Sequence, residues 1–365
     1  MSSVTRIGKR ADIRPSIPGL MGNGRYFYVK APNENNVYVF DTTLLTAANY
    51  AGAGVWTVTP LVATIGSITA GSCIGYIGST RQVYTNGEAI NAEPSSASFN
   101  TIVRSGMSFL AASVSKAYDH DKNLLYLGKA NDGALVDVLS EITFFSLVDV
   151  YGASGFSVPM RQRMAVYDHV QKCFLASDET EGVDLIPSCT LEELKKIKPF
   201  GYGFNANGNL SYYWVAGIYL FRHRNGLIDV WDRTTNLYLA TITSSNARAC
   251  RPAYSAKNKR FITGNLFSNG FGFFKLDTLT DDGSVTKGSV DTGETGTRDI
   301  VANDDVAMAM AASSDSTNHR RLHVINMNTK AYVGYYDLPA NALGNFSALA
   351  YASHFMCKNQ IEYWV

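Results

Sequence analysis

The chain is short of charge and carries none of the compact signatures of common catalytic centres. Charged side chains make up 17% of its 365 residues, against about a quarter in ordinary globular domains. Lys and Arg total 32 against 31 Asp and Glu, a formal charge of +1. No global field is available to hold a polyanion, so nucleic acid is not an expected partner unless a local patch forms. Cys73, Cys173, Cys189, Cys250 and Cys357 lack paired metal-ligand spacing, and five cysteines cannot all pair within one chain. Reduced thiols are the expectation. No run is apolar enough to cross a bilayer, and MSSVTRIGKRADIRPSIPGL lacks a signal-peptide core. The expected setting is synthesis in a cytoplasm with no membrane partner.

Catalytic patterns are missing in the same way. The histidines His120, His169, His223, His319, His323 and His354 form no HExxH and no close pair at ligand spacing. Ser154 in YGASGFS lacks the flanks of a nucleophile elbow and reads as a turn. GNGR, GETGTR and GYGFNANGN match neither a P-loop nor a dinucleotide fingerprint. Acidic turns supply Asp277, Asp281, Asp282, Asp291, Glu294, Asp299, Asp304 and Asp305, without a complete EF-hand loop. Arg222, Arg224, Arg248, Arg251, Lys257, Lys259, Arg260, Arg320 and Arg321 would make a basic patch if one face gathered them. Tyr212, Tyr213, Trp214, Tyr335 and Tyr336 are candidates for stacking on sugar, with core packing the simpler role. No catalytic, cofactor-binding or metal-ligating residue is assigned, and no cofactor is expected.

What is present is a repeat. Hydrophobic residues reach 46%, with 31 Gly, 21 Tyr and 18 Phe, a composition suited to strands and turns. LIDVWDRTTNLYLATI reads as strand, polar turn, strand, with Asp232 where the first strand stops. NNVYVFDTTLL does the same with Asp41, MAVYDHVQKCFLA with Asp168, FGFFKLDTLT with Asp277 and RLHVINMNTKAYVGYYDL with Asn326. An Asp or Asn at that point bonds its own backbone and holds the turn. Weaker copies centre near Asn86, with an alternative turn at Ser79-Thr80-Arg81, and at Asp137, beyond a turn at Asn131-Asp132-Gly133. The seven landmarks are 45, 51, 31, 64, 45 and 49 residues apart; either the loops vary or one landmark is misplaced, and since 31 and 64 sum to about two periods, the second reading puts Asp168 in a different strand of its unit.

A period in the forties with several short strands per unit predicts an all-β chain, a seven-bladed β-propeller of four-stranded antiparallel blades. Residues 25–365 form this single domain, and strands from the two ends of the chain share one blade. QIEYWV at the C-terminus is expected to be buried or paired. Residues 1–24 read as an extended N-terminal arm, with Arg6, Lys9, Arg10 and Arg14 followed by Pro15 and Pro18. A short helical insertion is expected near 187–199, where Thr190 caps, Glu193 completes the box, Leu194 and Ile197 follow, and Pro199 stops the helix.

The pattern resembles the β-propeller superfamily with degenerate WD-like blades. Trp231 and Asp232 in DVWDRTTNLYLATI match the name-giving pair, and VFDTT and KLDTLT resemble the Asp-Thr versions in bacterial and viral seven-bladed propellers. The Gly-His element of WD repeats is absent. The resemblance implies a non-enzymatic structural and protein-interaction subunit, a bacteriophage virion or tail assembly component made in a host cytoplasm. Its partners would be other structural proteins, met through the arm, the insertion and the propeller loops. The alternatives it leaves open are a carbohydrate-binding propeller for host recognition, with a glycan partner, and a metal-dependent propeller hydrolase or lactonase; a cytoplasmic location is the alternative setting.

Overall fold

The computed structural model describes residues 25–30, 35–66, 75–77, 81–84, 88–105, 253–255, 257–264, 270–287, 294–313, 321–338 and 355–357; between 113 and 243 it describes the strands and Thr235. The arm at 1–24 and QIEYWV lie outside these residues, as does the insertion expected near 187–199 apart from Pro187, which ends a strand.

The strands assemble into seven four-stranded antiparallel sheets and one two-stranded hairpin. Sheet I orders Phe355–Cys357, Tyr26–Val29, Val37–Asp41 and Leu61–Ile65. Sheet II is Gly75–Ile77, Gln82–Tyr84, Ala89–Asn91 and Ile102–Arg104; sheet III is Ser113–Asp119, Leu124–Lys129, Asp132–Asp137 and Thr143–Ser146. Sheet IV is Met164–Asp168, Cys173–Ser177, Val183–Pro187 and Gly201–Tyr202; sheet V is Ser211–Ala216, Tyr219–Arg224, Leu227–Asp232 and Leu237–Thr243. Sheet VI is Ala253–Ser255, Arg260–Gly264, Gly270–Lys275 and Thr280–Thr286; sheet VII is Glu294–Ala302, Val306–Ser313, Arg321–Asn326 and Ala331–Asp337. Sheets II to VII are meanders in chain order. Sheet I alone joins distant segments, with Val29 opposite Phe355 and Phe27 opposite Cys357.

The third strands end at Asp41, Asn91, Asp137, Pro187, Asp232, Lys275 and Asn326, separations of 50, 46, 50, 45, 43 and 51 residues. The uneven spacing of the landmarks has a strand-level cause. Asp168 ends the first strand of sheet IV, and the residue equivalent to Asp232 there is Pro187, which the Asp/Asn pattern cannot reveal. In sheet II the first two strands pair with Ile77 opposite Gln82, and Arg81 is in a turn at φ +55°; Ser79, Thr80 and Asn86 lie outside the described residues. Asp132 and Gly133 are strand rather than turn, because Lys129 already pairs with Asp132 across a two-residue connection.

The capping role of these residues is visible. Asp41 Oδ1 accepts from Thr43 N at 3.0 Å, Asp232 Oδ1 from Thr235 N at 3.2 Å, and Asn326 Oδ1 from Asn328 N and Thr329 N, each at 2.9 Å. Six sheets also share a register shift between third and fourth strands, in sheet V between Val230 and Trp231 and in sheet VII between Val324 and Ile325. A bulge there strengthens the local twist of the outer strand.

Neighbouring sheets bury their faces against each other. Tyr26, Tyr28, Val37, Val39 and Ile65 of sheet I meet Val83, Ile90 and Ala92 at sheet II. Phe27, Val29, Tyr38 and Phe40 on the opposite face meet Val301, Val306, Met308, Leu322 and Val324 of sheet VII. Ile262, Phe271 and Phe273 of sheet VI meet Ile300, Ala307, Ala309 and Ile325 of sheet VII. Full burial of each such side chain contributes about 1.5–3 kcal/mol. First strands lie side by side between sheets III and IV, IV and V, VI and VII, VII and I, and I and II.

The hairpin Tyr50–Gly52 with Val55–Trp56 leaves sheet I and lies on the last strand of sheet VII. Trp56 Nε1 donates to Tyr335 O at 2.9 Å, and the Tyr50 ring sits 5.1 Å from Trp56 and 6.2 Å from Tyr335. Each tyrosine rests on a glycine of the other segment: Tyr50 on Gly334, and Tyr335 on Gly54, where an added Cβ would stand 2.7 Å from Cε2. Gly334→Ala is expected to cost about 1–3 kcal/mol by overpacking, and Gly54→Ala more, because φ is +78° there. Urea midpoints of the two variants check both; wild-type midpoints would show that the hairpin does not clamp sheet I to sheet VII. Tyr28→Phe, which removes the 2.9 Å bond from Tyr28 OH to Ala92 O between sheets I and II, should lower the folding free energy by about 1 kcal/mol in the same measurement.

Candidate functional site

Asp282, Asp304 and Asp305 of the acidic turns, and Lys257 and Arg260 of the basic residues, meet where sheets VI and VII adjoin, joined by Lys275 and Lys330. Arg260 Nε donates to Asp282 Oδ2 at 2.5 Å, and Lys330 Nζ donates to Asp282 Oδ1 at 3.2 Å and to its carbonyl at 2.7 Å. Lys275 Nζ stands 3.8 Å away. Arg260 Nη1 reaches across to Met327 O. Beside this group, Asp304 Oδ1 accepts from Lys257 N at 2.8 Å, while its carbonyl accepts from Ser255 Oγ at 2.9 Å and Asn258 Nδ2 at 2.7 Å. Asp305 Oδ1 accepts from Lys257 Nζ and from Asn328 Nδ2, both at 2.9 Å.

These contacts change the meaning of both groups. Burial alone would raise the Asp282 carboxyl, but hydrogen bonds and charge from Arg260 and Lys330 outweigh it and hold it below its ordinary value of 3.8. Hydrogen bonds from Asn328 and then Lys257 lower Asp305, whereas burial raises Asp281. The Asp282 carboxylate is matched by Arg260 and Lys330 and that of Asp305 by Lys257, while Asp304 Oδ1 is held by the backbone N–H of Lys257. Among the described residues no group of three or more His, Cys, Asp or Glu is arranged to hold a metal.

Other candidates are also engaged. Arg321 forms a two-pronged contact with Asp337, Nε to Oδ1 at 2.9 Å and Nη2 to Oδ2 at 3.2 Å, and its guanidinium lies 3.9 Å over the Tyr335 ring. Tyr336 meets Phe40 edge-on at 5.1 Å. Both tyrosines therefore serve packing between sheets. His323 is buried, with Nδ1 2.8 Å from Tyr332 OH. Lys259 occupies a turn at φ +47°. Arg222, His223, Arg224, Tyr212, Tyr213, Trp214, Cys173, Cys357, Glu294 and Asp299 sit on strands whose side chains are outside the described residues. The remaining named histidines and cysteines, with Ser154, Asp291, Arg248, Arg251 and Arg320, lie outside them altogether.

Large apolar side chains also stand exposed among the described residues, most of them on the outermost strands. Leu237, 63% exposed, Tyr238 and Leu239 begin the last strand of sheet V. Val62 lies on the last strand of sheet I, Ile102 and Val103 on that of sheet II, and Val55 and Val58 on and just after the hairpin. Sequence reasoning missed these positions because LYLATI and LVATI read as ordinary strands; only their place at a sheet edge exposes them. The bulge in sheet V puts Tyr238 opposite Trp231, with ring centroids 5.9 Å apart, and Thr241 opposite Asp229, to which its Oγ1 donates at 2.6 Å.

No helix of the described residues is long and apolar enough to cross a membrane. No family model and no curated protein sequence matches the chain. Among solved structures, Kuenenia stuttgartiensis hydrazine synthase is similar at 10% identity, with a TM-score of 0.44 over 59% of this chain and 63% of that one. The chain thus spans less than two thirds of that protein's length.

The ion cluster sets a pH dependence. Lowered Asp282 and Asp305 stabilise fully above the ordinary carboxylate range, and that stabilisation disappears as pH falls through their depressed folded values. Asp281, raised, opposes them weakly. Stability should hold steady from neutral pH to about 5 and fall below about 4. Asp282→Asn should remove about 2 kcal/mol at neutral pH and flatten the acid limb in urea titrations; an acid limb as steep as wild type would show that Asp282 does not carry the effect.

Proposed function

We propose that the seven sheets are the blades of a closed seven-bladed propeller and that the chain is a non-enzymatic scaffold binding other structural proteins. Three features support the architecture: regular spacing of third-strand ends, adjacent first strands, and a sheet shared by segments from the two ends of the chain. In a propeller the first strands would line the axis and the fourth strands the circumference.

The observation that carries the functional reading is the contrast between junctions and rim. At the sheet VI–VII junction Arg260 and Lys330 bond to Asp282 and Lys257 to Asp305, while large apolar side chains stand in solvent on the last strands of sheets I, II and V. Apolar groups displayed on a rigid frame are what protein contacts use. A virion or tail is the assembly we assign it to, resting on the degenerate WD-like blades and scarce charge of the sequence. The arm and the insertion would add contacts around the frame.

Hydroxyl-radical footprinting tests the reading. Tyr238 and Leu237 should be labelled several-fold less in the native assembly than in the dilute free chain. Equal labelling of these residues and of Val62 and Ile102 in both states would defeat it. Projection images of the free chain test the architecture separately, by the presence or absence of a seven-lobed ring.

A further inference from the structure

The last strand of sheet VI carries an aspartate followed by a glycine. Phe274 pairs with Asp281 and Gly272 with Ser284, so Asp282 and Gly283 together face the single residue Phe273. This is a bulge, and Gly283 forms it with φ at +92°, a conformation in which a side chain would be strained. Asp282 is fixed for a different reason, as the carboxylate that meets Arg260 and Lys330. Two separate structural demands thus place an Asp–Gly bond in the sheet.

Such a bond has a reaction of its own. The backbone nitrogen of the glycine, with no side chain beside it to hinder approach, loses its proton and attacks the aspartate Cγ; a carboxyl oxygen leaves as water and a five-membered imide closes. Water then adds back at either carbonyl. Addition at the main-chain carbonyl leaves the peptide running through Cγ, with one extra carbon in the backbone. One water leaves and one returns, so no other reactant is needed. At Asp282 the extra carbon would fall in the bulge and move the free carboxylate off the position that Arg260 and Lys330 hold.

Both reacting groups are turned to other partners. Asp282 Oδ2 accepts from Arg260 Nε at 2.5 Å and Oδ1 from Lys330 Nζ at 3.2 Å, which pins Cγ. The Gly283 N–H hydrogen-bonds the Asp281 carboxylate. Lys330 also lies over the glycine, its Nζ 4.0 Å from where a Cβ would stand. Against the effect of burial, the bonds and charge from Arg260 and Lys330 hold the Asp282 carboxyl below its ordinary value. It stays a carboxylate, the weaker electrophile, whose oxygen must be protonated to leave as water.

We propose that Asp282–Gly283 is a latent isomerisation site that Arg260 and Lys330 keep closed in the folded chain. Reaction there follows local opening of the junction of sheets VI and VII, not loss of the whole fold. The role is independent of whatever partner the chain binds.

Prolonged warm incubation of the full chain at about pH 5, above the ordinary carboxylate range, tests this, with digestion and chromatographic separation of the two isomers of the peptide spanning the bond. Folded wild type should isomerise several-fold more slowly than the chain held unfolded in guanidinium chloride. Lys330→Met and Arg260→Gln, each confirmed as folded by its urea midpoint, should raise the folded rate several-fold. Tyr28→Phe, which weakens the fold between sheets I and II, should leave it at the wild-type value. Equal rates in folded and unfolded wild type would overturn the inference without recourse to any variant. So would Lys330 and Arg260 variants that react no faster than wild type, or a Tyr28→Phe chain that reacts as fast as they do, which would trace the rate to global unfolding.

Discussion

Sheet I is apolar on two faces and is covered on both. Phe27 and Tyr28 are successive residues of one strand, pointing to opposite sides as strand geometry requires, and both are completely buried. One packs toward sheet VII and the other toward sheet II. A four-stranded sheet with such residues has no stable existence alone. Its stability comes from the two neighbours, and theirs from it. Lateral coverage is thus the constraint from which the other features follow: the even spacing of units, the adjacency of first strands, and the recruitment of Phe355–Cys357 into the first sheet.

That constraint also directs where polar groups go. A junction between two sheets is apolar at its centre and ends in turns, so the polar side chains of one turn have those of the neighbouring sheet within reach. At sheets VI and VII, Ser255, Asn258, Asp304 and Asn328 form one such set, and Arg260, Asp282 and Lys330 another. Between sheets VII and I, Asn303 Nδ2 donates to Thr42 Oγ1 at 2.9 Å, and the Trp56 hairpin adds an aromatic clamp. Polar residues that would look chemical in isolation are spent on alignment. The large apolar side chains exposed among the described residues lie mostly on last strands, which have a neighbouring strand on one side only.

The sheet architecture was legible in the sequence because the Asp or Asn that ends a third strand has a local job. Asp41, Asp232 and Asn326 each bond the backbone two or three residues on, and a local interaction leaves a local signature. In sheet IV the uneven spacing pointed to Asp168 lying in another strand, and it ends the first; the third-strand position is held by Pro187, which leaves no Asp or Asn to find. The turn at Asn131-Asp132-Gly133 was displaced because strand pairing continues to Asp132, a non-local matter. The hairpin after sheet I left a faint trace, NYAGAGVW, in which Gly54 makes sense only beside Tyr335.

Sequence alone determined composition, charge, the strand-turn-strand unit and its repetition, because each is written in the identity or spacing of nearby residues. Tertiary structure decided which acid met which base. Asp282 and Lys330 lie 48 residues apart, close to one unit of the repeat, but which acid meets which base across the junction of sheets VI and VII is not written in that spacing; the assembled sheets pair Asp282 with Arg260 and Lys330. It also decided that LYLATIT is a rim and VYVFD a core. The two strands are alike in hydrophobicity; they differ in whether another sheet face and another strand cover them, and coverage is a property of the assembled chain.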